Sequence, residues 1–194
     1  MSMKCLNWNL HSINNKTSEI MSFLDDNNVS IFFASETWIT DSSNNTTSII
    51  KGNGYDIIHC PRKESMSEKE LGGGVAIIFN KSLSIKKVHT EKFSTFESTT
   101  AKFRLCDNTY ICLCSIYRPS SQATEAFFKE LDEFISSIFL KFEKFLICGD
   151  LNLHLDQPKN THTIRFNEVI SLYHLMVLNN MSKKQLTLMA TGLM

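Results

Sequence analysis

A chain of 194 residues with 42% hydrophobic content and only three prolines carries enough apolar side chain to build a sizeable core, which excludes a disordered polymer and predicts one domain over residues 1–194. Lysine plus arginine equals aspartate plus glutamate at 20 each, so no global basic field gathers polyanions and any nucleic acid has to be held locally. No window approaches the roughly 18 apolar residues of a membrane span, and residues 1–10 lack the apolar stretch of a signal peptide, so a cytoplasmic or nuclear protein without a membrane partner is expected.

In chain order, "KCLNW" (4–8) predicts a short strand, and residues 17–27 predict a helix because Ile20, Phe23 and Leu24 recur at helical spacing. "VSIFFASE" (29–36) predicts a buried strand, and the polar, Asn-rich stretch 41–47 a loop. "YDIIHC" (55–60), "GVAIIF" (74–79), "TTAKFRL" (99–105) and "TYICLCSIY" (109–117) read as consecutive strands in hairpins and a meander. Gly72, Gly73 and Gly74 precede a strand and lack the Lys-Ser/Thr of a phosphate-binding loop, so they predict a tight hairpin. Phe127, Phe128, Leu131, Phe134, Ile135, Ile138, Phe139 and Phe142 form one apolar helical face leading into the strand "KFLICGD" (144–150). A second amphipathic helix over 164–178, with Phe166, Val169, Ile170, Tyr173 and Val177 inward, closes the readable fold. This alternation predicts a layered α/β domain. The six cysteines lie mostly in apolar runs without a C-x-x-C pair, so buried reduced thiols are expected in place of a zinc site or a disulfide framework.

Four polar constellations stand at or near the C-terminal ends of apolar strands: "NWN" (7–9), "SETW" (35–38), "SIYRP" (115–119) and "GDLN" (149–152). Such ends are where α/β folds commonly gather a site. Each has a plain structural reading as well. Asn9 could cap a turn, Glu36 begin a loop, Tyr117 sit as an amphipathic rim residue, and Asp150 with Asn152 form an Asx-turn.

Taken in this order, the set resembles the endonuclease/exonuclease/phosphatase superfamily and, within it, the endonuclease domains of non-LTR (LINE-type) retrotransposons. "WNLHSINNK" is similar to the family's opening motif and "ASETWIT" to the segment with its metal-binding glutamate. "LGGGVAIIF" resembles the glycine-rich hairpin of the retrotransposon branch, "SIYRPSS" the tyrosine motif, and "ICGDLNLH" the Gly-Asp-x-Asn motif. The resemblance, over about residues 3–187, implies a four-layer α/β sandwich: two facing mixed β-sheets flanked by helices. It also implies magnesium-dependent hydrolysis of a DNA phosphodiester, with manganese as an alternative ion and with a parent polyprotein that carries a reverse transcriptase.

The residue types suit that chemistry. Magnesium takes one or two carboxylates plus waters and phosphate oxygens, so Glu36 is the expected ligand, assisted by Asn9. Asp150 is expected to orient or deprotonate the attacking water. Asn152 and Tyr117 are expected to donate to the phosphate, with Arg118 and His11 within reach of it. His154 and Asp156, in a polar loop past the strand end, are expected to be peripheral.

The family pattern continues with a further aspartate and a terminal Ser-Asp-His motif, and "NNMSKKQLTLMATGLM" (179–194) has neither. The expectation is a domain without its last strands, one of which would lie beside the first strand, and an activity weakened or lost. A frameshift or false gene boundary behind Leu188 to Met194 would account for such an end. Two other functions remain open at this point: a catalytically dead remnant that binds nucleic acid or protein, and a phosphatase for small phosphoesters or lipids.

Overall fold

Two β-sheets lie face to face, with two helices on the outer side of each. The computed structural model describes residues 3–40, 42–62, 72–89, 92–120, 124–153, 155–178 and 185–191. The first sheet contains β1 (Cys5–Asn9), β2 (Ile31–Ser35), β3 (Tyr55–Cys60) and β4 (Val75–Asn80) in the order β1-β2-β4-β3. The second contains β5 (Ile85–Val88), β6 (Glu97–Arg104), β7 (Tyr110–Tyr117), β8 (Lys144–Asp150), β9 (Met176–Val177) and β10 (Gln185–Thr191) in the order β5-β6-β7-β8-β10-β9. The pairs β1/β2 and β7/β8 are parallel and the rest antiparallel, so both sheets are mixed. Helices α1 (Thr17–Asp26) and α2 (Asn44–Gly52) cover the first sheet, and α3 (Thr124–Phe139) and α4 (Thr161–Leu172) the second. This is the expected four-layer sandwich.

The period-two alternation of strands sorts side chains into three cores. On β2, Ile31 and Phe33 enter the space between the sheets, where they meet Ile77, Phe79, Ala101, Phe103 and Leu113. Phe32 and Ala34 of the same strand face α1 and α2. A strand buried on both faces cannot show a polar alternation, which is why "IFFA" (31–34) reads as an unbroken apolar run. On the far side the α3 stripe packs as expected: Phe127, Phe128, Leu131, Phe134 and Ile135 are buried against β7, β8 and α4. Phe134 meets Phe93 and Phe96 edge to face at centroid distances of 5.7 and 5.6 Å.

Several expectations fail locally. Of the stretch 41–47, residues 44–47 open helix α2, where Thr46 and Ile50 are buried. Its sequence has poor helix propensity, and tertiary packing overrides it. The β-rich middle divides between the sheets: β3 and β4 join the first, β5 to β7 the second. Phe139, at the end of α3, is 47% exposed, and α4 ends at Leu172, leaving Val177 exposed on β9. Gly72 to Gly74 are not the turn of a tight hairpin, since β3 ends at Cys60 and β4 begins at Val75; the backbone N–H groups of Thr37 and Trp38 donate to Gly74 and Gly73. Cys112, Cys114 and Cys148 are buried, whereas Cys5 and Cys106 are exposed.

The end of the chain was expected to hold no further element, yet Gln185–Thr191 is a strand paired antiparallel along the whole of β8. Among the described residues β1 is an edge strand of its sheet. No helix among them is long and apolar enough to cross a membrane.

Candidate active site

The polar residues at the strand ends converge at one end of the space between the sheets. Register builds one half of the site: Glu97 pairs with Tyr117 across β6 and β7, and Tyr117 with Asp150 across β7 and β8. Asn9, paired with Ser35 at the end of β2, faces this row from the first sheet. Beyond β1 and β2 the chain stays paired, with Leu10, Ser12 and Ile13 donating to Ser35, Glu36 and Thr37. Glu36, Trp38, His11 and Asn152 all have positive φ between 45° and 56°. Left-handed backbone costs a non-glycine residue roughly 1–2 kcal/mol, so four such positions around one cleft mark a geometry imposed by the surroundings.

Asn9 joins the two sheets. Its Nδ2 donates to Glu36 Oε1 at 2.8 Å and to Asp150 Oδ2 at 2.9 Å, and its Oδ1 accepts from the His11 backbone at 3.2 Å. Glu36 also contacts the Tyr117 hydroxyl and lies 3.0 Å from His11 Nδ1. Burial pushes the Glu36 carboxyl up, but hydrogen bonds from Asn9, Tyr117 and His11 outweigh it and hold the group below its ordinary value. It is an anion at neutral pH. Asp150 is 3% exposed, with its second oxygen accepting from Asn152 N at 2.9 Å. Burial beside Glu36 raises the Tyr117 phenol well above its ordinary range, so Tyr117 stays a neutral hydroxyl donor.

The expected site residues therefore divide. Asn9, Glu36, Tyr117 and Asp150 are brought together, with His11 at the rim, its side chain 74% exposed. Asn152 and Asp150 do form an Asx-turn, and Asn152 Nδ2 donates to Arg118 O at 2.7 Å, which commits one of its two amide hydrogens. Arg118 is a correction: it does not point at a phosphate site. It is 3% exposed, donates to the carbonyls of Leu151 at 2.6 Å and Asn152 at 2.9 Å, and stacks on Phe127. It holds the loop behind Asp150. Asp156 is exposed in a turn, and His154 lies outside the described residues.

Two residues at the site were not anticipated. Arg62 and Glu97 form an ion pair of 2.6 Å beside Tyr117, and Arg62 contacts the Tyr117 hydroxyl. The available signal was Glu97 itself, an acid on the inward-facing phase of a Thr-rich strand, which has to find a cation. Among the described residues no three His, Cys, Asp or Glu converge as a ligand cluster.

A family model for the endonuclease/exonuclease/phosphatase family matches residues 6–167. No curated protein sequence matches the chain. The endonuclease domain of TRAS1, a telomere-specific non-LTR retrotransposon, superposes with a TM-score of 0.72 at 13% identity, over 96% of this chain and 83% of that one. The 3′ phosphatase NExo from Neisseria, bound to a product DNA hairpin, gives 0.69 at 13% identity over 97% and 87%. A mannosyl-6-phosphatase from Bacteroides thetaiotaomicron gives 0.68 at 13% identity over 97% and 85%.

Proposed function

The chain belongs to the endonuclease/exonuclease/phosphatase family, and from that premise we propose that it is a metal-dependent hydrolase of DNA phosphodiesters, of the kind that nicks target sites for a non-LTR retrotransposon. One observation carries the reading: a single Asn9 amide nitrogen held by Glu36 and Asp150, with the Tyr117 hydroxyl on the same Glu36. Two carboxylates and a phenol around one cleft are what a phosphodiester needs for charge neutralisation, water activation and oxyanion donation.

The donor set suits a hard divalent cation in its chemistry, since Glu36 and Asp150 offer carboxylate oxygens on either side of Asn9, whose own side chain carries an amide oxygen. Glu36, with Asn9, would hold magnesium or manganese, and the ion when bound would neutralise charge on the phosphate. Asp150, fixed by Asn9 and its own Asx-turn, orients the attacking water and takes its proton. Tyr117 donates to a phosphate oxygen as charge builds there. Asn152, whose backbone N–H holds Asp150, has one side-chain amide hydrogen besides the one given to Arg118 O, and His11 stands at the solvent side, where a DNA strand would enter.

The opening, glycine, tyrosine and Gly-Asp-x-Asn motifs support the LINE-type assignment, in which the 3′-hydroxyl left by nicking primes a reverse transcriptase carried by the parent polyprotein. A second reading, hydrolysis of small phosphoesters, rests on the zero formal net charge, which offers no broad field to gather DNA. Supercoiled plasmid with magnesium or manganese, beside p-nitrophenyl phosphate, separates the two. Nicking that disappears in Glu36→Ala and Asp150→Asn is expected. Nicking untouched by both substitutions would reject the site, and ester hydrolysis without nicking would select the second reading.

A further inference from the structure

Beside the cleft lies a buried assembly that the proposed chemistry does not use. Glu97, at the start of β6, is 3% exposed. A carboxylate this deep needs cationic and hydrogen-bond partners. Arg62 Nε donates to its Oε1 at 2.6 Å and the Gly74 backbone N–H to its Oε2. The Arg62 guanidinium lies 5.6 Å from the Tyr117 ring centroid and reaches the Tyr117 hydroxyl.

The glycine run is built around this pair. A Cβ at Gly73 would meet Arg62 Nε at 2.2 Å and its guanidinium carbon at 2.4 Å, and a Cβ at Gly74 would meet Thr37 Oγ1 at 2.9 Å. Because Glu97 pins the guanidinium, it cannot swing aside for a side chain at residue 73. Gly72, Gly73 and Gly74 all have positive φ, between 72° and 118°, and at Gly72 and Gly73 the backbone lies directly on Arg62. Gly72 and Gly73 thus close over an arginine, not over a phosphate, while Gly74 gives its N–H to Glu97.

We infer that Arg62 is a positioning residue for Tyr117, fixing the direction in which the phenol donates its proton. Tyr117 stands beside Glu36, a carboxylate that accepts its single hydrogen, and its strand partner Glu97 holds Arg62 against it. A guanidinium has donors and no acceptor, so Arg62 can only donate, to Glu97 on one side and to the Tyr117 oxygen on the other. That satisfies Glu97 and occupies a lone pair of the phenol, and the hydroxyl hydrogen is left for Glu36 and for a phosphate oxygen arriving beside it. Its fork geometry is needed, since a lysine ammonium would serve Glu97 without fixing the phenol.

The kinetic consequence rests on the proposed phosphodiesterase reading; the geometric one does not. Arg62→Lys and Arg62→Ala, alone and in a Tyr117→Phe background, are compared for plasmid nicking. Each should lower kcat about tenfold or more, with KM little changed when Tyr117 is present, and cause no further loss when it is absent. Equal losses in both backgrounds would overturn the inference. Protein labelled with ¹³Cζ-tyrosine tests the same link without substrate: the resonance that vanishes in Tyr117→Phe should shift in Arg62→Lys. An unmoved Tyr117 signal in folded Arg62→Lys overturns the inference even if the wild type cuts DNA. If the wild type cuts nothing, the phosphodiesterase reading fails and the tyrosine shift alone decides. Should Arg62→Ala not fold, Arg62→Lys carries both measurements.

Discussion

Asn9 Nδ2 lies 2.8 Å from Glu36 Oε1 and 2.9 Å from Asp150 Oδ2, so one neutral donor ties together carboxylates that belong to different sheets. Removing it in Asn9→Ala leaves the pair without their shared donor. Activity should fall about 100-fold or more, comparable to losing one preorganised donor at a developing charge. The Glu36 carboxyl should return toward its ordinary value, read by ¹³C NMR of the side-chain carboxyl. A Glu36 titration identical to wild type would contradict the bridge.

Stability should depend on acid through Glu36 in a defined direction. Its folded pKa is lowered below the unfolded one by the hydrogen bonds from Asn9, Tyr117 and His11, which outweigh burial. The stabilisation is therefore complete above the ordinary carboxylate value and is lost as pH falls through the folded value. The unfolding free energy of wild type minus Glu36→Gln should be flat near neutrality and shrink in acid. A difference that grows as pH falls would reverse the assignment.

Arg118 should behave as a scaffold, not as a DNA contact. Arg118→Ala leaves the Leu151 and Asn152 carbonyls without their donor, at a cost of about 2–4 kcal/mol in denaturant unfolding. The slope of log binding constant against log salt for a DNA duplex should stay that of wild type, because no phosphate contact is lost. A slope reduced by about one would place the guanidinium on the DNA after all.

Gly149→Ala tests why the Gly-Asp-x-Asn segment begins with glycine. A Cβ there would stand 1.8 Å from the Ile116 carbonyl oxygen on β7. Backbone cannot yield as a side-chain tip can, so a loss of about 3 kcal/mol or an insoluble protein is expected. A thermal midpoint within a degree or two of wild type would show that β7 and β8 can separate freely.

Seven of the ten strands among the described residues, three of the helices and the convergence of Asn9, Glu36, Tyr117 and Asp150 were legible because each rested on a local signal, whereas β5, β9 and β10 were not read as strands. Phe127 to Ile138 recur at helical spacing, and Asn9, Glu36, Tyr117 and Asp150 each interrupt an apolar run at its end. Helix α2 was not legible, since a segment opening on Asn44 and Asn45 is held by the burial of Thr46 and Ile50, which only the fold supplies. Arg118 was misread for a related reason: neighbouring Tyr117 in sequence, it points the opposite way from a strand that alternates, into carbonyls that no periodicity announces. Arg62 and Glu97 were missed because they lie 35 residues apart and meet only when the two sheets stack.

Because β1 is an edge strand among the described residues and carries Asn9, the centre is tethered to the sheet margin with the fewest neighbours on one side. Margins fray before interiors do. Detachment of β1 would uncouple Glu36 from Asp150 while the Phe134 core on the far sheet stayed packed. Competence and foldedness would then be separable properties of this protein, the first vanishing in denaturant before the second, with the amides of β1 exchanging ahead of those of β7.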